Sequence, residues 1–132
     1  MGNILVIDDE KGILGLIYEA LTKFGHTVET DTDGLSALRR FKNGSFDLVI
    51  TDMCMPNIDG PTLVRQIRRS NRPDTPIIGI SGTPSMFKKT DCDAFLTKPF
   101  SLVKLIQSVK ELIRDTDSTV PSQPPISVPL EA

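Results

Sequence analysis

The sequence predicts a doubly wound α/β sandwich, a parallel five-stranded sheet flanked by helices, on three observations. Short apolar runs such as "ILVI" and "DLVI" alternate along the chain with segments whose apolar residues recur at three- and four-residue steps. The first, third and fourth runs are continuously apolar, as strands covered on both faces are. Each of these runs, and the fifth, is closed by a polar residue at the end where open parallel sheets bind their ligands.

The elements follow in order. After "ILVID", Leu14, Ile17, Leu21 and Phe24 mark a helix that Gly25 stops, and "HTVET" is a short second strand. Asp33 is placed to cap the next helix, with Leu35, Leu38 and Phe41 on one face and Asn43-Gly44 at its end. "FDLVITD" is the third strand. Pro61 stands where a first helical residue needs a fixed φ and no N–H, and Leu63, Val64 and Ile67 form the buried stripe behind it. "PIIGIS" and "DAFLTK" are the fourth and fifth strands. Ser101 caps a last helix with apolar positions at Leu102, Leu105, Ile106, Val109, Leu112 and Ile113. From Asp115 the pattern dissolves into "DTDSTVPSQPPISVPLEA", whose four prolines deny it regular hydrogen bonding. The expected organisation is thus one domain over 1–114 and a flexible tail or linker stub over 115–132. Pro121 and Pro124 make a PxxP match that a proline-rich stretch produces by chance.

Composition excludes several classes. A chain of 132 residues suits one core and is too short for two. It contains neither a bilayer-spanning apolar run nor a secretory signal pattern at its start, so a cytoplasmic location is expected. The net charge of −2 and scattered basic residues give no stripe to track nucleic acid. Arg65, Arg68, Arg69 and Arg72 fit the solvent face and end of a helix. Cys54 and Cys92 lack metal-type spacing and read as small reduced core residues.

The rim carries the chemistry. Asp8 and Asp9 end the first strand with Glu10 beside them, Asp52 ends the third, Ser81 the fourth and Lys98 the fifth. Singly these are helix caps or solvated charges; together they argue for a site. Carboxylates about 5 Å apart repel by roughly 3 kcal/mol per pair at an effective dielectric of 20, so an empty cluster is strained, and relief is expected from neutralising Asp9. A few oxygen ligands completed by water and phosphate suit Mg²⁺. Lys98 then offers a point charge to phosphate oxygens and Ser81 a neutral donor. With no His, Cys or Ser–base pair in position, the expected nucleophile is a carboxylate, the central Asp52.

In this order and spacing, "ILVIDDE", "DGLSALRRF", "FDLVITDMCMPNIDG", "IIGISG" and "DAFLTKPF" resemble the CheY-like receiver domain of two-component response regulators, over about residues 3 to 114. The resemblance implies a flavodoxin-like fold with strand order 2-1-3-4-5. It also implies a phosphoaccepting signalling domain that promotes its own phosphorylation and dephosphorylation, and not an enzyme in the ordinary sense. Asp52 would take a phosphoryl group from a sensor histidine kinase or a histidine phosphotransfer protein. Asp9, Asp52 and the backbone carbonyl of Cys54 would bind Mg²⁺, with Asp8 holding a coordinating water. Lys98 and Ser81 match the phosphate-binding lysine and the switch hydroxyl, Phe95 the aromatic that turns inward with it, and Lys98-Pro99 a cis peptide. The implied output is a downstream protein or output domain, with homodimerisation on activation as one form of it. Neither membrane nor direct nucleic acid binding belongs to the domain.

Three rivals share parts of this pattern. Haloacid-dehalogenase-like phosphatases have a second aspartate two residues after the first, and here that residue is Cys54. A flavodoxin-like cofactor module needs a glycine- or hydroxyl-rich phosphate loop where this chain has Asp8, Asp9 and Glu10. A pseudo-receiver that no longer accepts phosphate remains the alternative, although every chemical residue is present. The small Cys54 and Thr83 shield the phosphoryl position with neither bulk nor charge. No DNA-binding helix pair or catalytic domain follows, so the chain reads as a stand-alone relay or as part of a longer protein. The interval from Ser81 to Lys98 is also short. "GTPSMFKKTDC" leaves too few residues for the fourth helix that receivers carry, which predicts a single turn or irregular loop with Met86 or Phe87 folded over the sheet.

Overall fold

The computed structural model describes residues 1–116, along which strands β1 (Asn3–Ile7), β2 (Thr27–Asp31), β3 (Leu48–Asp52), β4 (Ile77–Ser81) and β5 (Ala94–Thr97) alternate with helices. The helices are α1 (Lys11–Lys23), α2 (Gly34–Asn43), α3 (Gly60–Arg68) and α4 (Leu102–Thr116). All strand pairs are parallel and the sheet order is β2-β1-β3-β4-β5, as the sequence pattern and the resemblance anticipated. Helix α4 crosses the boundary expected at 114, and the proline-rich tail with its PxxP match lies outside the described residues. No described helix is long and apolar enough to cross a membrane.

Because side chains alternate across a strand, the sheet feeds two cores. Ile4, Val6, Leu48, Ile50, Ile78 and Ile80 meet Leu14, Ile17 and Leu21 of α1 and Leu105, Val109 and Ile113 of α4. Leu5, Ile7, Val49 and Ile77 meet Ala37 and Phe41 of α2 and Leu63, Val64 and Ile67 of α3. The helix starts behave as read: Asp33 accepts from the N–H groups of Leu35 and Ser36, and Ser101 Oγ from those of Val103 and Lys104. Gly25, at φ 89°, takes the left-handed conformation just past α1.

Several expected core residues lie elsewhere. Phe24, Leu35 and Leu102 are exposed because they stand at helix ends, where the buried stripe has run past the sheet. Phe24 instead lies under the Lys110 ammonium, 5.3 Å from its ring centre. Arg68 is no solvent-face arginine. Its guanidinium donates to the carbonyls of Pro73, Thr75 and Asp91 and to the carboxylate of Asp93 at 2.9 Å, clamping the loop after α3 to the entrance of β5.

Between β4 and β5 the chain forms a six-residue 3₁₀ helix, Pro84–Lys89, in place of an α-helix. The segment is longer than the single turn expected but still short, and Thr83 makes no side-chain cap bond to start it. Phe87 folds onto the core face of α2 and α3, and its ring lies against that of Phe95, 4.4 Å between centroids at 38°. One aromatic pair therefore covers sheet that a full helix would bury. Phe87→Ala is expected to destabilise the fold by about 1–2 kcal/mol, less than a fully buried phenylalanine because the site is partly open. Urea unfolding midpoints check this, and an unchanged midpoint would show that the ring covers nothing of consequence.

Candidate functional site

Strands β1, β3 and β4 are neighbours in the sheet, so the polar residues that close them converge. Asp8 follows β1, and its backbone N–H bonds to the Asp31 carbonyl at 3.1 Å. Asp52 ends β3, and the chain then turns sharply back on it. Gly60 N–H bonds to the Met53 carbonyl, and a Cβ at Gly60 would lie 2.5 Å from Met53 Cα and 2.7 Å from the Asp52 carbonyl oxygen. Only glycine fits so close to the backbone that carries Asp52. Asn57, at φ 72°, holds the same loop by donating to Asp33 at 3.0 Å. Lys98 is delivered by the end of β5, where its N–H bonds to the Ser81 carbonyl and the Lys98-Pro99 peptide is cis.

Oxygen atoms of Asp8, Asp9 and Asp52 all lie within 4.8 Å of one another. Asp8 and Asp52 are buried and Asp9 is exposed. Lys98 Nζ reaches 3.2 Å from Asp52 Oδ2, 3.4 Å from Asp8 Oδ2 and 2.9 Å from Glu10 Oε1. Asp52 Oδ1 accepts the Cys54 N–H at 3.3 Å, and Asp8 Oδ1 the Glu10 N–H at 2.9 Å. Asp8 Oδ2, however, is buried without a hydrogen-bond partner. A buried carboxylate oxygen that makes no hydrogen bond, only the 3.4 Å ion pair to Lys98, inside a group of three acids suits a cation that takes oxygen ligands.

Burial pushes the Asp8 carboxyl up to about 6, with Asp52 adding to the rise while the Glu10 N–H and Lys98 oppose it. Burial thus places an electrostatic cost on the Asp8 carboxylate. Burial pulls Lys98 down, but the bond to Glu10 and the charges of Asp8 and Asp52 prevail and hold its ammonium above the ordinary lysine range.

The remaining expected site residues divide. Ser81 is buried beside Asp52, but its Oγ accepts the Thr83 N–H at 2.9 Å and approaches the Thr83 carbonyl at 3.2 Å. Phe95 lies further along the sheet, stacked on Phe87 and 39% exposed. Cys54 is exposed and not a core residue, because it stands beyond the strand at the open rim. Cys92 is half-buried against the α2/α3 core, and burial pushes its thiol up to about 11. Glu10 is the contact the sequence reading missed. It counted there only as a third negative charge, whereas its length lets it reach Lys98 across the mouth of the site.

Comparison with known proteins agrees with this geometry. Residues 4–110 match the family described as response regulator receiver domain. The chain is 36% identical over 121 residues to the sensor kinase CckA of Brucella abortus, covering 86% of this chain and 13% of that protein. It is 34% identical over 116 residues to the transcriptional regulatory protein TcrA of Mycobacterium tuberculosis, covering 84% of this chain and 46% of that protein. It thus spans less than half of either relative. The receiver domain of the Francisella response regulator 1452 superposes with a TM-score of 0.80 at 30% identity, over 88% of this chain and 99% of that one. Asp8, Asp9 and Asp52 form an acid cluster of the kind that binds Mg²⁺ in such domains, and the fold, the rim and the match together make this chain a member of the response regulator receiver family, a family of phosphotransfer switches.

Proposed function

We propose that Asp52 accepts a phosphoryl group from a phosphohistidine on a sensor histidine kinase or a histidine phosphotransfer protein. The observation that carries this is the meeting, at the carboxyl end of β3, of the Asp52 carboxylate with two further acids and with Lys98 Nζ 3.2 Å away. A carboxylate oxygen of Asp52 forms a bond to phosphorus as the phosphorus–nitrogen bond to the donor imidazole breaks, and the released imidazole nitrogen takes up a proton. Lys98 neutralises charge on the transferred group, and Ser81 Oγ turns from Thr83 to donate to one of its oxygens. Asp9, Asp52 and the Cys54 carbonyl would hold Mg²⁺, with Asp8 engaged through water; the ion supplies positive charge where the phosphoryl oxygens gather.

The consequence for partners is a switch at the rim. Movement of Ser81 is transmitted to Phe95, and the altered surface is read by a downstream protein or output domain or by a second copy of the chain. Beside Lys98, Ile13, Leu16, Pro99, Phe100 and Leu102 line an apolar hollow of about 190 Å³ that a donor protein can cover. Such partners place the domain's work in the cytoplasm. Intact-protein mass spectrometry after incubation with a phosphorylated histidine phosphotransfer protein and Mg²⁺ tests the reading. One phosphate is expected on the wild type and none on Asp52→Asn; labelling that persists in the variant, or that proceeds fully in chelator, contradicts it.

A further inference from the structure

We propose that Glu10 gates Lys98, drawing the ammonium toward the mouth of the site in the resting protein and slowing the reaction of Asp52 with anionic phosphodonors. The inference rests on the reading of Asp52 as phosphoacceptor and assigns a positioning residue to that reaction. An ammonium has three N–H donors. Lys98 donates to Glu10 at 2.9 Å and to Asp52 at 3.2 Å and lies 3.4 Å from Asp8 as an ion pair without a hydrogen bond, so a phosphoryl oxygen competes with carboxylates on every side for its ammonium. One partner has to yield. The side chains of Asp8 and Asp52 are 1% and 6% exposed and that of Glu10 is 60% exposed. Replacing Lys98 by water is cheap for an exposed carboxylate and costly for a buried one, so burial selects Glu10 as the partner that lets go.

A second observation shows that Glu10 has no competing structural task. It occupies the N-cap position of α1, yet its side chain makes no cap bond, and Lys98 is the partner its carboxylate is seen to bind among the described residues. Its backbone meanwhile serves the site and the helix, donating to Asp8 and accepting from Ile13 and Leu14. The carboxylate can therefore change without removing a capping interaction. Its charge also stands on the solvent side of the buried acids, where a phosphodonor dianion meets it before it meets Lys98. Neutralising Glu10 lowers that repulsion and frees a donor of Lys98 in one step.

The test is the rate of phosphorylation by acetyl phosphate, with Mg²⁺ saturating for each protein. Glu10→Gln is expected to react about threefold to tenfold faster than wild type at low ionic strength, and the ratio is expected to fall toward one as sodium chloride is raised. Glu10→Asp, which keeps the charge, stays nearer the wild-type rate. Equal or slower labelling of Glu10→Gln at Asp52, or a gain indifferent to salt, would overturn the gate and leave the phosphoacceptor reading standing. Absence of label from Asp52 in the wild type would overturn both.

Discussion

Asp8→Asn is expected to stabilise the metal-free protein by on the order of 2–3 kcal/mol at pH 7, an unusual gain for a change at a buried polar residue. The Asp8 carboxyl is raised from 3.8 to about 6 by burial, so the folded protein binds its proton more tightly than the unfolded chain. Wild-type stability then rises as pH falls from about 6 to about 4, the direction opposite to that of a salt-bridged carboxylate, and levels off below. Asparagine carries no charge to desolvate, so the variant lacks this slope. With Mg²⁺ the order narrows or reverses, because wild type gains binding energy through Asp8 and the variant gains less. Urea unfolding across pH 4–7 in chelator and in excess Mg²⁺ checks each limb. A wild-type stability that is flat from pH 6 to pH 4 would show that the buried carboxylate is satisfied in a way the geometry does not reveal.

Lys98→Met is expected to act in the opposite sense, costing about 2 kcal/mol at pH 7.5 in the absence of metal. It removes the cation that lies within 3.4 Å of both Asp8 and Asp52 and leaves two buried carboxylates facing each other. The loss is smaller than for a fully enclosed pair because the lysine side chain is 21% exposed and because Asp8 can take up a proton. It should therefore shrink as the pH is lowered through the range in which Asp8 titrates. Thermal melts of wild type and variant at pH 5 and pH 7.5 in chelator measure this. A difference that grows at pH 5 would mean that the methionine disturbs packing and not charge.

The parts of the fold that were legible in the sequence are those with a clear physical period. Continuous apolar strands and three- and four-residue helical steps marked the elements, and the strand ends carrying Asp8, Asp52 and Lys98 do converge in the folded sheet. What escaped depends on reach and on ends. Phe24, Leu35 and Leu102 continue the helical period yet sit where the helix has left the sheet, and periodicity carries no information about where the neighbouring element stops. Arg68 looked solvated because a sequence does not show which carbonyls a long guanidinium will find. Glu10 reaches Lys98 across 88 positions of chain, a contact that only the closed sheet creates. Cys54 follows a buried strand closely enough to look internal, but the turn onto Gly60 puts it at the open rim.

That turn, the acid cluster and Lys98 all support the proposed chemistry of the domain, acyl phosphate formation at Asp52. The most direct measurement is reduction of the phosphorylated protein with borohydride, which converts an acyl phosphate to an alcohol, followed by peptide mapping. The account predicts homoserine at position 52, formed only when Mg²⁺ accompanies the phosphodonor, with Asp8 and Asp9 unchanged. Homoserine at position 8 or 9, or its formation at 52 without divalent metal, would contradict it.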